Sequence, residues 1–162
     1  CAFREPITMK VLFVCLGNIC RSPTAHGVFE EKVRERGLAS QVYTDSCGTG
    51  AWHVGESPDP RASQHAAKRG YDLSHLRARQ VSPDDFDTFD YVLAMDNANL
   101  KDLQSIIPAG ARTQPVLFLS YGAFSEQEVP DPYYGGEQGF EHVLDLVESA
   151  CDGLLDEIQS RL

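Results

Sequence analysis

The sequence predicts an α/β fold: a single domain on a small, doubly wound parallel sheet of four strands, with helices on both faces. Three observations lead there. The chain has 162 residues, which suits one compact domain with one core. Four short runs of aliphatic and β-branched residues recur along it, with the near-continuous apolar pattern of strands buried on both sides. Segments with helical spacing and helix punctuation lie between and after these runs, so strand and helix alternate four times. With right-handed crossovers, a doubly wound sheet is the simplest topology.

The elements follow in order. Residues 1–8 fit no element and read as a short native extension or a cloning remnant, with the domain running over 9–162. Met9 opens a clean strand pattern, and residues 10–16 (KVLFVCL) are the first strand. Ser22-Pro23 then supplies an N-cap candidate and a residue suited to the first helical turn. That helix should reach about Arg36 and stop at Gly37. A second short strand covers 41–46. Residues 47–60, rich in Gly, Pro and Ser, form a loop. A helix from about Asp59 to Arg69 ends at Gly70, and residues 82–86 (SPDDF) form a short capped helix. The third strand is 91–95 (YVLAM), after which Asp96 caps a helix reaching about Ile106. The fourth strand is 115–119 (PVLFL). Residues 120–139 form a loop long enough to suggest function. Helical spacing at Val143, Leu144, Val147, Leu154, Leu155 and Ile158 marks a final helix over 140–162.

Composition narrows the function classes. The formal net charge is −10, so nucleic acid and anionic membranes are disfavoured partners. A phosphate site on such a molecule must be cationic locally, which favours a narrow pocket of backbone N–H groups and an Arg over a broad basic patch. No apolar run approaches the length of a membrane span, and no secretory signal pattern is visible. The five cysteines are odd in number and irregular in spacing, which reads as free thiols in a reducing compartment, the cytoplasm. The histidines are scattered, and no Cys/His cluster has zinc-ligand spacing, so no metal is expected. Oligomeric state has no signature in the sequence.

In a doubly wound sheet, ligands bind outside the carboxyl ends of the strands where the strand order reverses. At the carboxyl end of the first strand stands Cys15-Leu16-Gly17-Asn18-Ile19-Cys20-Arg21-Ser22-Pro23. A tight loop entering a helix turns successive N–H groups inward and adds the positive end of the helix dipole. Gly17 allows a sharp backbone path, and Asn18 tolerates a left-handed conformation. A dianionic phosphate fits such a nest, and the same field stabilises a thiolate at Cys15. Arg21 offers a planar fork for bidentate contact with phosphate oxygens. Ser22 can donate a hydrogen bond to the thiolate and help it leave when a phosphocysteine breaks down. A bare Cys-x5-Arg is otherwise an apolar strand residue followed by a surface charge. Its placement between a strand and a Ser-Pro helix start favours the catalytic reading.

The stretch VLFVCLGNICRSPTA at 11–25 resembles the signature loop of the low-molecular-weight protein tyrosine phosphatases. The likeness continues through DSCGTGAWHVGESPDPRA at 45–62, RARQV at 77–81, FDYVLAMD at 89–96 and DPYYG at 131–135. It spans nearly the whole chain from Met9. The resemblance implies a flavodoxin-like four-stranded parallel sheet and a phosphocysteine intermediate. It also implies a phosphotyrosine-containing protein as substrate, and no metal or organic cofactor.

Tyrosinate leaves poorly unless protonated, so a general acid must face the nucleophile. Asp131, between Pro130 and Pro132 and matching the family's DPYY, is the candidate; an ordinary Asp-Pro turn is the alternative. Tyr133, Tyr134 and Trp52 can wall a slot deep enough for a phosphotyrosyl ring, or merely shield the loops. Leu16, Gly17, Asn18, Ile19, Cys20 and Ser22 complete the substrate-binding set. By resemblance, Ser46 and Asn18 brace the phosphate loop. The family often has a His just before Arg-Ala-Arg-Gln, supporting that Asn. Here Leu76 takes the position, and His75, one residue earlier, reads as a surface histidine. His26, His65 and His142 fall on expected helices and receive no role. The family pairs two loop cysteines in a reversible protective disulfide, which would join Cys15 and Cys20 here. A buried thiol with no redox role is the alternative for Cys20. Cys47 reads as space-filling or as a second resolving thiol.

Three other functions use the same features. A thioredoxin-linked arsenate reductase needs further cysteines mid-chain, and residues 48–150 contain none. A protein-arginine phosphatase tends to carry Thr where this loop has Ile19, which makes it the runner-up. A non-catalytic phosphotyrosine-binding module would need neither Cys15 nor Asp131.

Overall fold

The structure, a computed structural model, describes residues 9–123, 125–130 and 136–162. Four parallel strands form one sheet in the order β2-β1-β3-β4. They are β1 (Met9–Cys15), β2 (Val42–Gly48), β3 (Tyr91–Ala94) and β4 (Pro115–Leu117). The helices are α1 (Arg21–Glu35), α2 (Pro60–Lys68), α3 (Asp85–Thr88), α4 (Asn97–Ile106) and α5 (Gly136–Arg161). This is the expected four-stranded parallel α/β architecture. The chain moves from β1 outward to β2, then crosses back to β3 and β4 on the other side. The order therefore reverses between β1 and β3.

Alternation along β1 builds two cores. Val11, Phe13 and Cys15 face one layer with Val28 and Phe29 of α1 and Val143, Val147 and Leu154 of α5. Leu12 and Val14 face the other, with Phe86 of α3, Val92 and Ala94 of β3, Leu103 of α4 and Cys47 of β2. The first layer is pinned by Phe13, whose ring makes edge contacts with Phe29 and Phe118. Cys15 and Cys47 thus point to opposite faces of the sheet.

Several element boundaries differ from the sequence reading. Strand β2 runs to Gly48, two residues into the expected loop, and α3 covers Asp85–Thr88, without a side-chain cap, where 82–86 was expected. Helix α1 begins at Arg21 with Cys20 at its N-cap position, so Ser22 lies inside the first turn and is no cap. Strand β4 ends at Leu117 and passes into a single 3-10 turn, Phe118–Tyr121. Its partner β3 is paired only over Val92, Leu93 and Ala94, so β4 has nothing to pair with beyond Leu117. Helix α5 begins at Gly136, which shortens the long loop expected over 120–139. Elsewhere the signals hold. Asp59 caps α2 by accepting N–H bonds from Arg61 and Ala62 at 2.9 and 3.2 Å, with Pro60 as first helical residue. Asp96 caps α4 through the Asn99 N–H at 2.7 Å.

No helix among the described residues is long and apolar enough to cross a membrane.

Candidate active site

The loop after β1 is built around Cys15. Its Sγ accepts the Asn18 N–H at 3.2 Å and lies 3.0 Å from Ser22 Oγ. Asn18 adopts the left-handed conformation, φ +56°, as its short polar side chain allows. That side chain fixes the turn from both ends. Its Nδ2 donates to Ser22 Oγ at 2.8 Å, and its Oδ1 accepts the Arg79 N–H at 3.0 Å. The support that Leu76 cannot give as a side chain therefore comes from a backbone group three residues further on. Leu76 itself is buried in the core, while His75 is exposed against Glu30 at 3.1 Å.

The loop runs into the N-terminus of α1, which has no capping side chain and no acidic residue in its first turn. The positive end of the helix dipole is thereby directed at the loop without a competing anion from the helix itself. Gly17 is not in a positive-φ conformation; its lack of a side chain instead admits His53, whose Cδ2 would be 3.0 Å from an added Cβ. The neighbouring strand also packs onto the loop. Thr49 and Gly50 donate N–H bonds to the Cys15 and Leu16 carbonyls, each at 2.9 Å.

Arg21 is anchored at one edge. Nη1 donates to Asp96 Oδ2 at 2.6 Å and to the Val129 carbonyl at 3.1 Å. This places the guanidinium between the carboxyl ends of β1 and β3, where the strand order reverses. Cys15, Leu16, Gly17, Ile19, Cys20 and Arg21 line one open cleft of about 280 Å³, closed on its far side by Trp52 and His53. Asp131, Tyr133 and Tyr134 lie outside the described residues. Val129, two positions before Asp131, donates its N–H to Met95 O at 2.7 Å in addition to receiving Arg21.

Ser46 lies at the carboxyl end of β2, and its Oγ is 2.8 Å from His26 Nδ1. His26 is buried on α1, one helical turn after Ser22, and sequence reasoning gave it no role. The available signal was the spacing of four from Ser22, which puts both on one helix face. The pairing of Asp96 with Arg21 has no signal in the sequence, and Arg79 received no individual role. The Arg79 guanidinium bridges Asp45 Oδ2 at 2.9 Å and Asp85 Oδ2 at 3.1 Å, so it ties β2 to α3 beside the loop. Burial pushes the Cys47 thiol well above its ordinary pKa, the largest contribution being desolvation. Among the described residues no group of His, Cys, Asp or Glu is arranged to hold a metal ion.

The model of the family described as low molecular weight phosphotyrosine protein phosphatase matches residues 10–162. A low molecular weight phosphotyrosine protein phosphatase of Schizosaccharomyces pombe is 50% identical over 134 residues, covering 82% of this chain and 85% of that protein. A low molecular weight protein-tyrosine-phosphatase of Streptomyces coelicolor is 44% identical over 160 residues, covering 96% and 97%. The crystal structure of a protein tyrosine phosphatase from Entamoeba histolytica superposes with a TM-score of 0.90 at 39% identity, covering 94% of this chain and 98% of that one. In sequence and in architecture alike, then, the chain belongs to the low molecular weight phosphotyrosine protein phosphatase family.

Proposed function

We propose that the protein hydrolyses phosphotyrosine in protein substrates through a phosphocysteine at Cys15, in the cytoplasm. One observation carries the reading: a cysteine sulfur at a strand end receives an N–H bond and a hydroxyl contact beneath an uncapped helix N-terminus, with Arg21 beside it. The N–H groups of residues 16–22 and the Arg21 fork bind the phosphoryl oxygens. Cys15 thiolate attacks phosphorus, and the P–O bond to tyrosine breaks as Asp131 protonates the leaving oxygen. Water, activated by the same carboxylate, then attacks phosphocysteine, and the S–P electron pair returns to sulfur. Ser22 stabilises that thiolate.

Two other carboxylates near the cleft are already committed. Asp59 caps α2 and Asp96 holds Arg21 and caps α4, which favours Asp131 over either as the proton donor. Ile19 in the cleft wall suits an aromatic ring better than a guanidinium. Trp52, Tyr133 and Tyr134 would wall the slot for that ring.

The test compares peptides bearing phosphotyrosine, phosphoserine and phosphoarginine. Phosphotyrosine should be the preferred substrate. Cys15→Ser should remove turnover and retain vanadate binding, because the N–H nest and Arg21 remain. Faster turnover of phosphoarginine would replace this reading with the arginine phosphatase. Turnover by Cys15→Ser above trace level would place the chemistry elsewhere.

A further inference from the structure

Beside the phosphate cleft lies a second hollow of about 290 Å³. The two share a wall, since Leu16 and Trp52 line both. Its far side is the C-terminal half of α4, contributing Asp102, Ser105 and Ile106. The apolar residues are unusually open: Trp52 is 72%, Leu16 46% and Ile106 38% exposed. Trp52 is braced from behind, because its ring occupies the space that a side chain on Gly50 would fill. An open indole held by the backbone is a platform for an incoming side chain.

The electrostatics of this hollow are opposite to those of the cleft. Asp102 is the one charged residue in its lining, and among the described residues its carboxylate makes no hydrogen bond or ion pair. The last turn of α4 holds no basic residue, so the negative end of the helix dipole is not offset there. Ser105 does not supply a donor to the hollow, as its hydroxyl bonds the Asp102 carbonyl at 2.6 Å. The hollow thus combines an apolar floor with a cation-attracting end, the chemistry that matches a side chain with a long aliphatic stem and a charged head.

We propose that this hollow is a substrate subsite that receives an Arg or Lys flanking the phosphotyrosine. The stem lies over Leu16, Trp52 and Ile106, and the cationic head meets Asp102 and the end of α4. The proposal rests on the phosphotyrosine reading of the adjacent cleft. Its continuity with that cleft through Leu16 and Trp52 is why the occupant is part of the same substrate and not a separate ligand.

The experiment measures kcat/KM for matched phosphotyrosine peptides with Arg, Ala or Glu on both sides of the phosphotyrosine. The Arg peptide should exceed the Glu peptide by about five- to tenfold, the range expected for an exposed ion pair replaced by a repulsion. Asp102→Lys should abolish or reverse that order. Glu35→Lys makes the same change in net charge at the other end of α1, about 21 Å along the helix from Arg21. It should keep the order, which separates a local contact from attraction to the acidic molecule as a whole. Equal rates for the three peptides, or a preference that survives Asp102→Lys, would overturn the subsite. Nitrophenyl phosphate, too small to reach the hollow, is assayed in parallel. If the wild type hydrolyses it but does not discriminate the peptides, the subsite alone is wrong. If it hydrolyses neither it nor the phosphotyrosine peptides, the phosphatase reading fails and the subsite with it.

Discussion

Asn18 holds the loop in shape because three of its groups are engaged at once: its N–H on Cys15 Sγ, its amide on Ser22 and its side-chain carbonyl on the Arg79 N–H. In the proposed phosphate clamp, Arg21 acts through shape as well as charge. Arg21→Lys keeps the charge and loses the fork, so vanadate affinity and turnover should both fall. Equal behaviour of the two proteins would remove the bidentate role. His26 is a different kind of support. Its bond to Ser46 Oγ lies beside the bond from Ser22 Oγ to the Cys47 carbonyl at 3.4 Å, so two contacts hold α1 to the end of β2. Burial lowers the His26 pKa, with His75 acting the same way and Glu30 and Asp45 opposing. The folded state therefore favours neutral imidazole more than the unfolded chain does. That contribution is complete above the unfolded pKa of about 6.5 and is lost as pH falls toward the folded value. Urea midpoints measured from pH 7.5 to 5.5 should show a steeper acid loss for the wild type than for His26→Gln, and parallel curves would count against this. Among the thiols, mild peroxide should join Cys15 to Cys20, and peptide mapping of the oxidised protein reads the pair. Cys47 packs on the opposite face of the sheet, so a Cys15–Cys47 peptide would contradict the geometry. Cys15, Asn18 and Ser22 were legible because loop chemistry demands those residue types at close spacing. His26 was not, because its partner Ser46 is on a strand distant in sequence, and the spacing of four from Ser22 marks a shared helix face but no role.

At the scale of elements, the loop depends on β2 coming very close. A Cβ at Gly48 would meet the Leu16 carbonyl oxygen at 2.7 Å and the Gly17 and Asn18 backbone at 3.1 and 3.2 Å. Those atoms belong to the main chain of the phosphate loop and cannot swing aside as a side-chain tip can. Gly48→Ala should therefore displace the loop, lowering turnover by at least tenfold and weakening vanadate binding, while the far-UV circular dichroism remains that of the folded protein. A variant with unchanged kinetics would show that the loop tolerates the shift. The helices are tied on the other side of the molecule. Arg69, at the end of α2, pairs with Glu141, Asp145 and Glu148 along α5, and Tyr71 donates to Glu148 at 2.7 Å. The existence and order of the elements were readable from apolar runs and from Gly37 and Gly70, which both take positive φ just beyond their helices. The misplaced boundaries have a common cause. Ser22 looks like a cap until its hydroxyl is claimed by Cys15 and Asn18, and residues 118–119 look like strand until β3 runs out. In each case a tertiary partner decided what local preference left open.

Across the whole molecule, the reversal of strand order brings together segments far apart in sequence. Arg21 reaches Asp96 after β3 and the Val129 carbonyl beyond β4, so the chain leading to residue 131 is tied to the phosphate loop. This supports Asp131 as the acid, a role legible in the sequence only because a Cys loop was already in view. Asp131→Asn cannot donate a proton, so hydrolysis of phosphotyrosine should fall by ~10²–10⁴, the usual worth of general acid catalysis. The loss should depend on the leaving group. Nitrophenolate departs without much help, so phosphocysteine should still form rapidly from nitrophenyl phosphate. Its breakdown should slow, because in the proposed mechanism the same carboxylate activates water in the second step. Rapid mixing should then show a burst of nitrophenol close to one equivalent of enzyme, followed by slow turnover. An equal steady-state loss for good and poor leaving groups is compatible with the acid role when such a burst is present, because breakdown then limits both. Equal losses with no burst and unchanged discrimination among leaving groups would make Asp131 a turn residue. Since Asp59 and Asp96 are held as helix caps, the search for the proton donor would then turn to His53, which lines the cleft.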